Sequence, residues 1–399
     1  MNPQIEQLYR MAQKPERLIL GLMSGTSLDG LDMALCSFQG HGLETKVKVL
    51  HFHTEPFTPD FQASIRDVFA KPHIDFQHLC VLNPAIGLEH GRIINQTLAQ
   101  WGVPNDMVDA IASHGQTVFH APQAYHRLPN WPNATLQIGD GDHIAVSTGI
   151  LTLSDFRQKH CAAGGEGAPL AVYGDYLLFA QPQEDRVLLN LGGIGNFTFL
   201  PGHLDPDGVF ATDTGPGNTL LDAYTQQEFQ QPFDRDGQLS QQGTPIPGLL
   251  QALLDHPFFD QPIPKTTGPE LFNLAYLTTA QIASGTQHAK PVDVLATLAK
   301  FTSQTVAEAV QRWAPQWSPR SSLWVSGGGA HHPVVQKYLK EFLPEWPIAP
   351  LDHLGISGDA KEAILFAVLA NETLAGGQTS FGNRPRVPTI TMGKISLPN

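Results

Sequence analysis

Residues 21–36 read GLMSGTSLDGLDMALC. Both ends of this stretch are apolar and strand-like. Its middle is Ser24, Gly25, Thr26 and Ser27, then Leu28, Asp29, Gly30 and Leu31, with Asp32 just inside the second run. Small residues in a turn let a ligand approach the backbone, and Gly25 and Gly30 are free to take positive φ. Successive N–H groups, with the Thr26 and Ser27 hydroxyls, form a nest for an anion. Asp29 or Asp32 is then placed to hold a magnesium ion through water. The same residue types also suit an ordinary hairpin turn, so the rest of the chain has to decide.

Working outward, RLILGLMS, LDMALCSFQ and TKVKVLHFHTE are three strand-like runs. A helical stretch follows, and VDAIASHGQTVFH then reads as a buried strand opening into a glycine loop at Ser113-His114-Gly115. ATLQIGDGDHIAVSTG reads as strand, turn and helix start, with Asp140 or Asp142 as the cap. ILTLSDF is one more short strand. After AAGGEGAPLAVYGDYLLF the order begins again. DRVLLNLGGIGNFTFLPG is two strands around a glycine turn, GVFATDTGPGN a third, and SSLWVSGGGAHHP a buried strand ending in three glycines. SGDAKEAILFAVLANETLAG closes the chain as a helix, with Ser357 as its expected N-cap and Gly376 past its end.

The pattern β-β-β-helices-β-helix-β therefore occurs twice, which predicts two mixed α/β lobes with a cleft between them. A length of 399 residues agrees with two domains. The expected division is an extension over 1–17, a first lobe over 18–157, and a second lobe over 158–399 that carries helical insertions and the closing helix.

Two more glycine loops bear on ligand binding. In ATDTGPGNTLLDAYTQQ, Asp213 closes a strand, Gly215, Gly217 and Asn218 form a loop, and Thr219 opens a helix. Strand, glycine loop and helix N-terminus together favour an anion, and the Asp213 carboxylate is a candidate general base. In WVSGGGAHHP, Gly327, Gly328 and Gly329 leave bare backbone on which an adenine or ribose can lie; a sharp strand-to-helix turn is the alternative. The P-loop pattern G-x-x-x-x-G-K-[ST] is absent.

Composition narrows the partners. Hydrophobic residues make up 41% and charged residues 15%, a globular balance. The formal net charge of −13, with no basic cluster, argues against a nucleic-acid or anionic membrane surface. Apolar runs fall short of the ~20 residues of a membrane span. Three scattered cysteines suggest neither disulfides nor a zinc site and fit a reducing cytoplasm. Seventeen histidines show no metal-ligand spacing.

An early hairpin nest, a D-x-G-x-G loop and a later GGG strand end, on a duplicated α/β layout, resemble the superfamily of actin, hexokinase and the heat-shock chaperones. That resemblance implies two ribonuclease-H-like lobes holding ATP between them. Within the superfamily, GLMSGTSLDGLD, SHGQT, LQIGDGD, DFR, AAGGEGAPL, NLGGIGN, DTGPGN, FDRDG, PKTTGPELFN and SGGGAHH are similar to the anhydro-N-acetylmuramic acid kinase family over about residues 18–370. The resemblance implies a cytoplasmic enzyme of peptidoglycan recycling. It implies that ATP and water convert 1,6-anhydro-N-acetylmuramic acid to N-acetylmuramic acid 6-phosphate and ADP, and that the chain is a possible homodimer.

Carried onto this sequence, the resemblance puts Asp213 in the base position and residues Gly25 through Asp32 on the nucleotide, with Gly192, Gly193, Gly215, Gly217, Asn218 and the three later glycines completing the ATP and Mg²⁺ site. Glu362 matches a sugar contact; His114, Gln116 and Arg157 are further sugar-side candidates. Arg157 is equally an interlobe salt-bridge residue, and Glu362 a first-turn helix charge. His160, Cys161 and Glu166 depart from the family's wording and affect only fine sugar contacts. The competing readings are a different sugar or carboxylate kinase on the same fold, and a non-catalytic ATP-binding switch or filament protein. Product analysis separates the first, and ATP-dependent polymerisation without sugar turnover the second.

Overall fold

The computed structural model of the protein describes residues 2–313, 320–376, 380–382 and 387–399. The chain divides into two compact units, Met1–Leu178 with Asp359–Asn399, and Phe179–Gly358.

The first unit is built on strands β1 (Glu16–Ser24) and β2 (Gly30–Gln39), which pair antiparallel with Leu22 opposite Met33 and Met23 opposite Asp32. Both are buried almost end to end, as near-continuous apolar strands must be when each face of a sheet is covered. Leu20, Leu22, Leu31, Met33 and Leu35 join one core with Leu82, Ile86, Ile93 and Ile94 of the helix Phe76–Gln100. Gly21 faces the opposite way, by the period of two along a strand. A Cβ at Gly21 would lie 2.0 Å from the Ala363 carbonyl oxygen, so β1 admits the helix Lys361–Ala375 only because the side chain is missing.

Among the described residues β3 (Lys46–Pro56) pairs with β2 alone, and outside His51–His53 it alternates exposed with half-buried residues, the pattern of an edge. β4 (Ala110–Ala121) runs parallel to β1, β5 (Ala134–Ile138) antiparallel to β4, and β6 (Thr152–Ser154) parallel to β4. A short strand, Lys394–Ser396, closes the far side antiparallel to β6.

The second unit repeats this plan. β7 (Asp185–Leu191), β8 (Ile194–Leu200) and β9 (Phe210–Pro216) are consecutive antiparallel neighbours, while β10 (Ser321–Ser326) and β11 (Ile348–Pro350) add in parallel beside β7. The order β11-β10-β7-β8-β9 matches β6-β4-β1-β2-β3 strand for strand and sense for sense. The duplicated α/β layout is therefore present, as two ribonuclease-H-like sheets. The helix Pro291–Trp313 buries Leu295, Leu298, Phe301 and Val306 against the second sheet's core.

Several local expectations change. The closing helix, expected with the second lobe, belongs to the first unit, which itself extends past 157 to Leu178. Its residues Ala363 through Glu372 are all buried, as a helix apolar on nearly every side requires. Its N-cap is Ala360, without a side-chain bond, and not Ser357. Asp140 caps the helix Gly141–Thr148 by accepting the N–H groups of Asp142 and His143. The expected extension contains a helix, Pro3–Ala12, and β1 already begins at Glu16. Arg17 is buried, donating to Asn371 Oδ1 at 2.8 Å and to the Gly40 carbonyl at 3.0 Å. Among the described residues no helix is long and apolar enough to cross a membrane.

Candidate active site

In the first unit the β1–β2 turn is a shaped loop. Its left-handed residue is Leu28, with φ 60°, and neither Gly25 nor Gly30 takes positive φ. Burial of the Leu28 side chain, 2% exposed in the core, offsets the strain of that conformation. Leu31 is likewise in the core, so both leucines leave only backbone for a ligand. Gly30 is fixed by close approach, since a Cβ would come within 2.5 Å of the Glu55 carbonyl oxygen. At Gly25 a Cβ would meet nothing nearer than Ser27 Oγ at 3.5 Å. The space beside Gly25 is therefore open, as a phosphate cradle requires.

Polar groups brace this loop. Ser24 Oγ donates to Gln116 Oε1, and Gln116 Nε2 donates to the Gly25 carbonyl at 3.3 Å. Gln116 is fully buried, so its amide is committed to the loop. Ser27 Oγ donates to Asp29 Oδ1 at 2.7 Å, and Thr54 Oγ1 to Asp32 Oδ1 at 2.6 Å. Burial lifts the Asp32 carboxyl above its ordinary range; Thr54 opposes this, and the negative charges of Asp29 and Asp359 lift it further.

β4 does not end at His114-Gly115 as expected. It continues to Ala121 through an irregularity where its register with β1 shifts, and Gly115 takes φ 74° there. The bulge leaves His114 buried against the Phe366 ring at 4.8 Å, with Nε2 accepting from Arg157 Nε at 2.7 Å. Desolvation and the Arg157 charge hold His114 neutral, with its pKa down at about 3. Arg157 Nη1 also donates to the Gly167 carbonyl at 2.8 Å. Glu362 is reached by solvent, yet the protein around it lifts its carboxyl; Arg157 opposes the lift and Asp32 adds to it. His114, Arg157, Glu362 and Asp32 thus form one electrostatically linked group.

In the second unit the three glycine loops converge. The N–H groups of Gly217 and Thr219 donate to the Gly193 carbonyl at 2.9 and 3.1 Å, and that of Asn218 to the Gly192 carbonyl at 2.8 Å. These were the donors expected to make the helix N-terminus an anion site, and they are occupied. The open backbone lies instead at the β7–β8 turn: a Cβ at Gly192 would meet nothing nearer than Asn190 Nδ2, at 3.4 Å. Gly215 lies in β9 with φ 144° and packs by Phe259 and Thr305. Gly327 takes φ 82° at the end of β10, and Gly329 packs on Asn218 Oδ1 and Leu191. Gly328 begins a short 3-10 turn with its Cβ direction toward Asn218 Nδ2, 3.4 Å away.

Asp213 sits within β9, which runs on to Pro216. It is half-buried; its Oδ2 accepts the Thr267 N–H at 2.8 Å, and Oδ1 carries no hydrogen bond among the described residues. Burial lifts the carboxyl and the Thr267 N–H restrains it. Beside the loops lies a cavity of about 290 Å³ lined by Asn218, Asp222, Phe233, Arg235, Gly328 and His331, among others. The Arg235 guanidinium stands 5.7 Å over the Phe233 ring, and burial pushes the Asp222 carboxyl up to about 6.

Thr54 and Asp222 carry no signal in the sequence reading; Thr267, Phe233 and Arg235 lie in the stretches PKTTGPELFN and FDRDG but are not assigned to the site there, and His160 enters only as a departure from the family's wording. Thr54 is the cross-strand partner of Asp32 in the β2–β3 register, so pairing outward from the hairpin would have found it. For Thr267, nothing in the local sequence of PKTTGPELFN points to Asp213, 54 residues away.

Residues 17–387 match the family model described as anhydro-N-acetylmuramic acid kinase. An anhydro-N-acetylmuramic acid kinase of Pseudoalteromonas atlantica is 52% identical, with 100% of each chain covered. One of Pseudoalteromonas translucida is 49% identical, again over 100% of both. One of Caldanaerobacter subterraneus is 36% identical over 98% of this chain and 100% of its own.

Proposed function

The chain belongs to the anhydro-N-acetylmuramic acid kinase family, and on that premise we propose how its residues carry the reaction. The enzyme is an ATP-dependent phosphotransferase of peptidoglycan recycling. It opens 1,6-anhydro-N-acetylmuramic acid with water and phosphorylates O6. Because the reaction consumes ATP, we place it in the cytoplasm.

Asp213 is the general base. Its free Oδ1 takes a proton from water as the water oxygen bonds to C1. The C1–O6 bond breaks with its electron pair on O6. O6 then attacks the γ-phosphorus, and the bond to the β-phosphate oxygen breaks to release ADP. The proton leaves through Asp213. Phosphoryl transfer needs positioning and charge neutralisation more than covalent help. The open backbone at Gly25 and Gly192, with the Thr26 hydroxyl, supports the reading that these turns hold phosphates, while the Ser27 hydroxyl is given to Asp29.

A magnesium ion bound with ATP neutralises phosphate charge. Of the two aspartates, we assign Asp32 to it, since Asp29 and Asp359 crowd negative charge around a half-buried carboxyl that a cation would relieve. The cavity beside Gly328 and Asn218, with the flat Phe233–Arg235 pair, suits the nucleoside. On the sugar side, Arg157 meets the lactyl carboxylate, and Glu362 accepts from a sugar hydroxyl.

The observation that carries this proposal is the half-buried Asp213 held by Thr267 beside the converging glycine loops. The test is incubation with the anhydro sugar, ATP and heavy-oxygen water, with products read by mass spectrometry. A ring-opened 6-phosphate with one heavy oxygen on the sugar is expected. Phosphorylation without ring opening, or of another sugar in preference, would overturn the proposal.

A further inference from the structure

One chain of buried polar contacts in the first unit has no role in the reaction as described. The Tyr173 hydroxyl lies 2.8 Å from the Pro388 carbonyl oxygen and 3.1 Å from His160 Nε2. A carbonyl only accepts, so Tyr173 donates to Pro388 and accepts from His160 Nε2–H. His160 Nδ1 is therefore unprotonated, and it accepts the Gly167 N–H at 2.9 Å. The opposite end of that residue, the Gly167 carbonyl, accepts Arg157 Nη1 at 2.8 Å, while Arg157 Nε donates to His114 Nε2 at 2.7 Å.

His160 is 0% exposed and packs so closely under the loop that a Cβ at Gly165 would come within 2.2 Å of its ring. Desolvation, with the Arg157 charge behind it, pulls its pKa to about 4, so the ring stays a neutral donor and acceptor through the physiological range. Two edges of the Arg157 guanidinium are thus fixed, one on His114 and one on Gly167. Its remaining N–H groups donate to no other group among the described residues, which leaves them for an anionic partner.

We infer that His160 is a positioning residue for Arg157: it holds Gly167 by its N–H, and the carbonyl of that same residue sets where the guanidinium docks, so that His160 tunes binding of the anionic sugar without touching it. The inference rests on the sugar-side reading of Arg157 given above. It extends that reading to a residue more than one contact away from the substrate.

The test is steady-state kinetics on the full-length enzyme with H160A, H160N, R157A and the R157A/H160A double variant. H160A is expected to raise the KM for the anhydro sugar roughly tenfold or more, as misplacement of a binding group does, with the ATP KM within about twofold. H160N keeps an acceptor where Nδ1 stood and should recover most of the loss. In the R157A background, H160A should add less than about twofold, because coupled residues are not additive. Additive effects, or H160N no better than H160A, would overturn the inference while leaving Arg157 in place. R157A with the sugar KM of the parent would remove the reading of Arg157 and the inference with it. Should H160A not fold, H160N and Y173F decide: both keep the Gly167 anchor and should bind sugar within about threefold of the parent, and a loss in both as large as in R157A would sink the inference.

Discussion

Asp213 Oδ2 accepts the backbone N–H of Thr267 at 2.8 Å, across 54 residues of sequence. The bond fixes one carboxylate oxygen and leaves the other for water. Replacing Asp213 with Asn keeps the shape and removes the base. We expect ATP affinity to survive and turnover to fall by ~10²-fold or more. Burial raises the Asp213 carboxyl, and the base works only when ionised. The parent kcat/KM should therefore fall on acidification through a pKa above the usual ~3.9, and the residual activity of Asp213→Asn should lack that limb. Near-parental turnover would remove Asp213 from the mechanism.

The glycines of the two turns divide by what surrounds them. A methyl at Gly25 meets open space, whereas one at Gly30 meets the Glu55 carbonyl at 2.5 Å. Gly25→Ala should fold with an unchanged melting temperature and raise the ATP KM roughly tenfold, the equivalent of about 1.4 kcal/mol. Gly30→Ala should lower the melting temperature instead. The second unit offers the same contrast, with Gly192 open and a Cβ at Gly217 only 2.2 Å from the Gly192 carbonyl. A Gly25→Ala enzyme with parental ATP KM would place the phosphates elsewhere.

Much of this was readable from residue order. The apolar runs of β1, β2, β7 and β10 mark buried strands, and their recurrence with a glycine turn after β1 and after β7 gives the duplication. What was not readable depends on contacts remote in sequence. Nothing in Lys361–Ala375 says which sheet it covers; the answer lies in the missing Cβ of Gly21. The positive φ fell on Leu28 rather than on a glycine because the loop has to return an apolar side chain to the core. The helix at Thr219 looked like an anion site, but its leading N–H groups are satisfied by Gly192 and Gly193, a pairing that only the folded turn creates. His114 and Arg157 were legible through the SHGQT and DFR stretches of the family resemblance, whereas the link through His160 and Gly167 depends on a loop conformation.

Asp32 and Asp29 separate cleanly in a metal titration. Asp32 is half-buried, held by Thr54, and lifted by desolvation and by neighbouring acids. Asp29 is exposed and held by Ser27. Asp32→Asn should raise the Mg²⁺ concentration for half-maximal rate roughly tenfold or more, one interaction of about 1.4 kcal/mol, with little change in stability. Asp29→Asn should shift it by less than about twofold. The reverse ranking would give the metal to Asp29.

Three buried histidines make the fold acid-sensitive, and one of them is separable from the site. His90, His114 and His160 are 1%, 3% and 0% exposed, and burial depresses their pKa values to about 4, 3 and 4. Below the ordinary ~6.5 the unfolded chain binds protons that the native state refuses. Stability present above that value is therefore lost as pH falls toward the folded pKa values, at up to about 1.4 kcal/mol per pH unit for each histidine. The raised carboxyls of Asp32, Asp213, Asp222 and Glu362 act in the opposite sense, so the raw profile mixes both. His90 isolates the histidine part, because neither of its ring nitrogens has a hydrogen-bond partner among the described residues. His90→Leu should gain about 1 kcal/mol or more at pH 7, since a buried unsatisfied polar group is removed. Relative to the parent it should gain about 1.4 kcal/mol further for each pH unit below ~6.5. Urea unfolding at pH 7, 6 and 5 measures both quantities. Parallel pH profiles for parent and variant would mean that His90 is protonated, or solvated, in the native state.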